Sequence, residues 1–190
     1  SLHTPLRIKD VAEQEFAVDG TPCDSVYVAL NHLMPTKPDL VISGINHGPN
    51  LGNDVLYSGT VGAAMEGALC GLPAISMSLC LPENDSELSK TPLQFGDAAA
   101  FAETLAKSVL ENPLPPGVLL NVNVPNRGEA PKGVKVCRLG YTDWAHSVHE
   151  KEDPRGKPYF WIGGERRGAD NIPDSDNNAI WAPRCAALPT

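Results

Sequence analysis

The chain has 190 residues, 42% hydrophobic and 20% charged, and is therefore long enough to bury the core of one globular domain. Its net charge of −8 argues against a broad nucleic-acid surface, but a local cation can still attract a small anionic substrate to one pocket. The five scattered cysteines form no C-x-x-C pair, and no apolar run reaches the ~18 residues that span a bilayer. We therefore expect a cytoplasmic protein that binds neither a membrane nor a nucleic-acid duplex.

Apolar residues predict alternating helices and strands along the first two thirds of the chain. Thr21 and Pro22 are typical of a helix start, and short apolar runs that end near glycine or proline are typical of buried parallel strands. The predicted strands cover residues 39–43, 74–79 and 119–124, and the predicted helices cover residues 22–34, 58–69 and 95–110. This order indicates an α/β fold of the Rossmann-like kind, a three-layer parallel sheet with helices on both faces.

The composition changes after Pro125. Residues 134–139 alternate as an exposed strand does, residues 159–162 form a short aromatic strand, and residues 163–178 are polar and rich in glycine. We expect this tail to form an arm or loop region outside the sheet. The sequence thus predicts an α/β core over residues 1–130 and a β-rich arm over residues 131–190 that serves oligomerisation.

Three features suited to phosphate and metal chemistry fall within residues 43–66. Asn46 follows a buried strand, where ligands bind in open α/β sheets. Asn46, Asn50, Asn53 and Asp54 carry oxygens of the kind that Mg²⁺, Mn²⁺ or Ca²⁺ prefers. Ser58, Gly59 and Thr60 open a helix, and free N–H groups and hydroxyls at such a start bind anions.

Each of these residue types also has an ordinary structural explanation. Asn and Gly are common in loops because they tolerate left-handed backbone angles, and Ser and Thr are common at helix starts because they cap. Their concentration in one strand–loop–helix unit favours the functional interpretation. A dinucleotide-binding enzyme is disfavoured, since no G-x-G-x-x-G follows a predicted strand.

Four stretches of the sequence resemble the SurE family (survival protein E). The longest reads SGINHGPNLGNDVLYSGTV over residues 43–61, and the others are GTPCD at 20–24, LNVNVP at 120–125 and DPRG with YFWI between residues 153 and 162. The resemblance implies a metal-dependent 5'/3'-nucleotidase, an acid-phosphatase-like phosphoric monoester hydrolase acting on nucleoside monophosphates. It also implies a homodimer or a homotetramer.

The resemblance also implies roles for particular residues. Asn46 corresponds to a metal ligand for Mg, Mn or Ca. Asn50 and Ser58 correspond to catalytic residues, and Ser58, Gly59 and Thr60 correspond to the phosphate-binding helix start. His47 is interpreted as a surface histidine.

The chain also departs from the family pattern. The family's Asp-Asp pair and a serine that complete the metal site correspond to positions before Ser1, and residues 181–190 do not match the family's closing strand and helix. We therefore expect a fold that is incomplete at both ends, truncated or divergent after about residue 180, and a chain of low activity. The alternative is a non-catalytic nucleotide- or phosphate-binding module.

Overall fold

The structure, a computed structural model, describes residues 3–81, 92–128, 131, 133–144, 147–163, 166–169, 172–181 and 186–189. Its elements in chain order are β1 (Ile8–Ala12), β2 (Glu15–Val18), α1 (Pro22–Val28), a π-helical turn (Ala29–Leu33), β3 (Val41–His47), a 3₁₀ helix (Gly52–Tyr57), α2 (Gly59–Leu69), β4 (Ala74–Cys80), α3 (Phe95–Glu111), β5 (Leu119–Pro125), β6 (Val134–Cys137), β7 (Thr142–Trp144), β8 (Ser147–Glu152), β9 (Pro158–Gly163), β10 (Arg166–Ala169), α4 (Asp176–Trp181) and β11 (Ala186–Pro189).

The main sheet has five strands in the order β3-β4-β5-β11-β6. Strands β3, β4 and β5 are parallel, and each is joined to the next by a helix. The three predicted strands and three predicted helices are therefore present, with two corrections. Strand β3 runs to His47, so Asn46 lies in the strand and not after it, and the helix predicted over residues 22–34 becomes π-helical after Val28. The start of α1 is also as predicted: Thr21 and Asp24 form a capping box, and Pro22 occupies the first turn.

Alternate residues of β4, the middle one of the three parallel strands, face opposite sides of the sheet. Ile75, Met77 and Leu79 face α3, where they form the main hydrophobic core with residues such as Ala98 and Ala102. The opposite face carries Ala74, which packs under α2. The predicted three-layer α/β arrangement is thus confirmed.

Beyond Ala74, the α2 side of β4 is polar: Ser76 and Ser78 are fully buried there. The loop formed by residues 48–52 bonds to this polar surface, as described below. A small second core, which includes Leu51 of that loop together with Cys137 and Ile180, joins the loop to β6 and α4. The loop between β3 and α2 is therefore built into the fold.

The expectation that the tail lies outside the sheet is wrong for two of its strands. β6 pairs in parallel with β11, and β11 pairs antiparallel with β5, so both extend the main sheet. A strand at 186–189 was also not expected in the divergent stretch. By contrast, β8 and β9 form a separate antiparallel hairpin, and β7 pairs with β10. The division at residue 130 remains a prediction.

Two further features were not anticipated from the sequence. The β1–β2 hairpin consists almost wholly of exposed residues, so it lacks the apolar pattern that would have predicted it. The 3₁₀ helix and α4 are six residues each, too short to show a period. Among the described residues, no helix is long and apolar enough to cross a membrane.

Candidate functional site

The site begins with a β-bulge in β3. Ser43 lies opposite Ser76 of β4, but the next partner on that face, Ser78, lies opposite Asn46, so β3 contains one extra residue. Gly44 has φ +64 inside this irregular stretch, a conformation that glycine adopts without strain. Because of the extra residue, Ile45 packs against the hydrophobic core and Asn46 takes the place on the α2 side. The bulge thus aims Asn46 toward α2.

The Asn46 side chain is held between the following loop and α2. Its amide nitrogen donates to the carbonyl of Gly48 at 3.0 Å. Its amide oxygen lies 3.4 Å from the hydroxyl of Thr60, which donates to it. The structure therefore brings together the predicted metal-binding residue and one predicted phosphate-binding residue, although they lie 14 positions apart.

The start of α2 supplies donors to the same place. Ser58 is the N-cap: its hydroxyl oxygen accepts from the N–H of Val61 at 3.1 Å, and its carbonyl accepts from Gly62 at 2.9 Å. The first N–H groups of a helix have no acceptor within the helix, so those of Gly59 and Thr60 point outward at the positive end of the dipole. Since α2 has eleven residues, this end can bind an anion in the predicted manner.

Gly59 also has a packing role that the sequence did not indicate. A Cβ at this position would lie 3.0 Å from the ring of Pro22 in α1. A Cβ at Gly62, one turn later, would lie 2.8 Å from the sulfur of Cys23. Both glycines therefore allow α1 to approach α2 closely. The glycine in the Ser-Gly-Thr sequence is explained by helix packing as well as by the approach of an anion.

Asn50, predicted as catalytic, lies in the interior with 7% of its surface exposed. Its side-chain amide donates to the hydroxyl of Ser78 at 2.7 Å. Its backbone N–H donates to Asn123 at 2.9 Å, and its carbonyl accepts from Asn121 and Asn123 at 2.9 and 3.0 Å. These contacts give Asn50 a structural role in the 48–52 loop.

The roles of Asn121 and Asn123 were not predicted, although their motif was noted. Both lie on β5 with 3% and 0% of their surface exposed. Two asparagines two positions apart in an otherwise apolar strand share one face of the sheet, and buried amides require partners. That spacing was the feature that could have indicated a buried polar network.

Asn53 and Asp54, whose oxygens were considered as ligands of a cation, instead accept hydrogen bonds from residues of β7 in the arm. An oxygen of Asn53 accepts from the N–H of Thr142 at 2.7 Å, and a carboxylate oxygen of Asp54 accepts from the indole N–H of Trp144 at 2.8 Å. Both side chains therefore fasten β7 to the 3₁₀ helix. His47 lies exposed at the end of β3, with its ring 6.4 Å from that of Phe95.

The described residues do not form a divalent-cation site by themselves. In the parts of the chain that the structure describes, no group of three His, Cys, Asp or Glu side chains is placed to hold a metal ion. Asn46 contributes one neutral amide oxygen, whereas Mg²⁺ and Ca²⁺ take several oxygens that usually include carboxylates. What the described residues do provide is a helix start of the kind that suits an anion, with one amide oxygen beside it.

Comparison with known proteins gives a consistent result. A family model described as Survival protein SurE matches residues 1–146. The chain is 53% identical over 190 residues to the 5'-nucleotidase SurE of Anaeromyxobacter dehalogenans, covering 99% of this chain and 71% of that protein. It is 45% identical over 182 residues to the 5'-nucleotidase SurE of Vibrio cholerae serotype O1, covering 95% and 69%. The crystal structure of SurE from Aquifex aeolicus superimposes with a TM-score of 0.76 at 36% identity, covering 100% of this chain and 74% of the other.

Proposed function

The chain belongs to the SurE family, and on that basis we propose that it hydrolyses nucleoside monophosphates to a nucleoside and inorganic phosphate. Two relatives that support this proposal carry the name 5'-nucleotidase SurE. The observation that carries it is the meeting of the Asn46 amide, the Thr60 hydroxyl and the start of α2. This point lies at the carboxyl end of β3, the edge at which ligands bind in α/β sheets.

In this proposal the phosphate of the substrate binds at the start of α2. Its oxygens accept from the N–H groups of Gly59 and Thr60 and from the Ser58 hydroxyl. The Thr60 hydroxyl also donates to the phosphate, once it has turned away from the Asn46 oxygen to which it donates in the structure. These donors stabilise the negative charge that the phosphoryl oxygens carry as the ester bond breaks. The proposal extends to 3'- as well as 5'-monophosphates, because the described contacts address the phosphate alone.

A divalent cation, Mg, Mn or Ca, belongs to the proposal through the family resemblance. Asn46 would supply its amide oxygen as one of the ion's ligands, and the ion would offset the negative charge of the phosphate. Since the described residues do not complete such a site, no step is assigned to the ion. Asn50 and Ser58 stay predicted catalytic residues. The Ser58 hydroxyl lies at the proposed phosphate position, whereas the described contacts of Asn50 are structural.

A second candidate is a phosphate- or nucleotide-binding module of low or no activity. One observation favours it: the described residues place no cluster of carboxylates near Asn46. Such a module would bind a nucleoside monophosphate at the same helix start and release no phosphate.

One experiment tests both candidates. Phosphate release is measured on 5'- and 3'-monophosphates with Mg²⁺, Mn²⁺, Ca²⁺ or EDTA, and binding is measured by calorimetry. Thr60→Val removes a donor at the site, and we expect it to lower kcat/KM on the order of a hundredfold. The matched control is Thr104→Val, because the Thr104 hydroxyl donates only to the carbonyl of Ala100 in α3.

The outcomes separate the two candidates. Release that falls in Thr60→Val and persists in Thr104→Val supports the nucleotidase. Binding without release supports the module. Equal effects of the two variants would contradict the placement of the phosphate. The absence of both binding and release would contradict both candidates.

Assembly as a homodimer or homotetramer and a cytoplasmic location complete the proposal. Light scattering after size-exclusion chromatography measures the assembly directly, and a monomer at micromolar concentration would contradict it.

A further inference from the structure

We propose that Asn121 and Asn123 of β5 are positioning residues, which hold the 48–52 loop and through it the side chain of Asn46. This inference rests on the proposed function, because it assigns the network a part in the same site. It adds two residues that do not contact the substrate.

Asn123 binds the loop through both ends of its side-chain amide. Its amide oxygen accepts from the N–H of Asn50 at 2.9 Å, and its amide nitrogen donates to the carbonyl of the same residue at 3.0 Å. A side-chain amide thus pairs with one residue's backbone as a neighbouring strand would. Asn121 adds a second donor to that carbonyl at 2.9 Å.

The network fixes the orientation of the loop peptide in addition to stabilising it. An apolar residue at position 123 would leave the buried N–H of Asn50 unpaired at a cost of about 1–3 kcal/mol, so the network does stabilise the fold. An amide specifies both the position and the orientation of the peptide that it binds. Since Asn123 is fully buried, it is also shielded from competing water.

Asn50 is connected to Asn46 through Pro49 and Gly48. Gly48 is bonded at both of its backbone groups: its N–H donates to the carbonyl of Leu79 at 3.0 Å, and its carbonyl accepts from the Asn46 amide at 3.0 Å. Pro49, with its fixed φ, joins Gly48 to Asn50. A shift of Asn50 therefore moves the carbonyl that orients Asn46.

The test uses three variants of the full chain. Asn123→Ala removes both bonds to Asn50, and Asn121→Ala removes one of the two donors to its carbonyl. Asn126→Ala is the matched control, because this buried amide accepts from the N–H of Gln94 at 2.9 Å and donates to the carbonyl of Pro92 at 3.3 Å, away from the 48–52 loop. Urea unfolding of each variant confirms that it is folded under the assay conditions.

Two measurements distinguish positioning from a purely structural role. The first is the kcat and KM of phosphate release. Loss of a residue that orients a ligand-binding side chain typically lowers activity by about 10- to 100-fold. We expect this loss in kcat for Asn123→Ala, a smaller loss for Asn121→Ala and a change within about threefold for Asn126→Ala. The second is the NMR signal of the Asn46 side-chain NH₂ group, assigned from its absence in Asn46→Leu.

The NMR signal should move in Asn123→Ala and stay in place in Asn126→Ala. It needs no turnover, so it tests positioning even if the chain proves inactive, whereas the phosphate assay tests the proposed function. An unmoved Asn46 signal in a folded Asn123→Ala, or in Asn121→Ala if Asn123→Ala does not fold, would overturn the inference. Equal losses of kcat in Asn123→Ala and Asn126→Ala would do the same.

Discussion

Ser58 has two roles in our interpretation, as the cap of α2 and as a phosphate donor, and substitution can separate them. Its hydroxyl oxygen accepts from the N–H of Val61 at 3.1 Å in a half-buried position. Ser58→Ala removes both roles. Ser58→Asn keeps a neutral capping oxygen, and Ser58→Asp keeps a capping oxygen that carries a negative charge.

The stability of these variants follows from capping alone. Loss of a capping serine costs about 1 kcal/mol, a noticeable part of a total stability of roughly 5–15 kcal/mol. Ser58→Ala should therefore lower the free energy of unfolding by about that amount. Asn and Asp cap about as well as Ser, and Asp gains roughly 0.3–1 kcal/mol from the helix dipole. We expect Ser58→Asp to be at least as stable as Ser58→Asn.

Anion binding should follow the opposite order. A carboxylate about 5 Å from a dianionic phosphate is repelled by roughly 1.5–2 kcal/mol even at the dielectric constant of water, which lowers affinity by more than about tenfold. Calorimetric titration with inorganic phosphate and with a nucleoside monophosphate measures this, and urea unfolding measures stability. If Ser58→Asp binds phosphate as tightly as Ser58→Asn, the anion does not bind at the start of α2.

Two further predictions concern groups next to the site. Burial, and after it the charge of Asp176, raises the pKa of the Cys80 thiol above its ordinary value of 9.0, and Arg127 opposes this. The unfolded chain then loses the Cys80 proton at a lower pH than the folded chain, so the free energy of unfolding falls as pH rises past about 9. Cys80→Ser should remove this part of the pH dependence, measured by urea unfolding between about pH 8 and 10. Equal slopes of the free energy of unfolding against pH in the two proteins would contradict the raised pKa. Gly62→Ala should cost about 1–2 kcal/mol, because its Cβ would lie 2.8 Å from the sulfur of Cys23. In a Cys23→Ala background Gly62→Ala should stabilise the protein by about 0.5–1 kcal/mol through helix propensity. Equal effects of Gly62→Ala in both backgrounds would show that α1 and α2 do not pack as described.

The parallel core was predictable because its elements have local patterns. The apolar runs in β4 and β5 and the capped start of α1 each depend on residues within a few positions of one another. The same holds for the start of α2, where Ser58 caps the helix that follows it. The β1–β2 hairpin and α4 have no such pattern.

Residues far apart in sequence form the contacts that were not predicted. Asp54 was considered as a donor to a cation, but it bonds to Trp144, 90 positions later. Strand β11 joins the main sheet by pairing with β5, and β6 joins it by pairing with β11, and no local pattern in these strands reveals either pairing. Such pairings depend on the complementarity of distant segments and not on the properties of either one.

By itself, the sequence determined the three-layer α/β core and the stretch that contains the candidate site, because hydrophobic period, caps and motifs are local properties. Only the tertiary structure decided how the side chains of that stretch are used. It added the bulge that turns Asn46 toward Thr60, and it placed Asn50 in the interior under Asn123, 73 positions away. The physical reason is that a buried polar atom must find a partner wherever the fold provides one, and that partner is fixed only when the chain is packed.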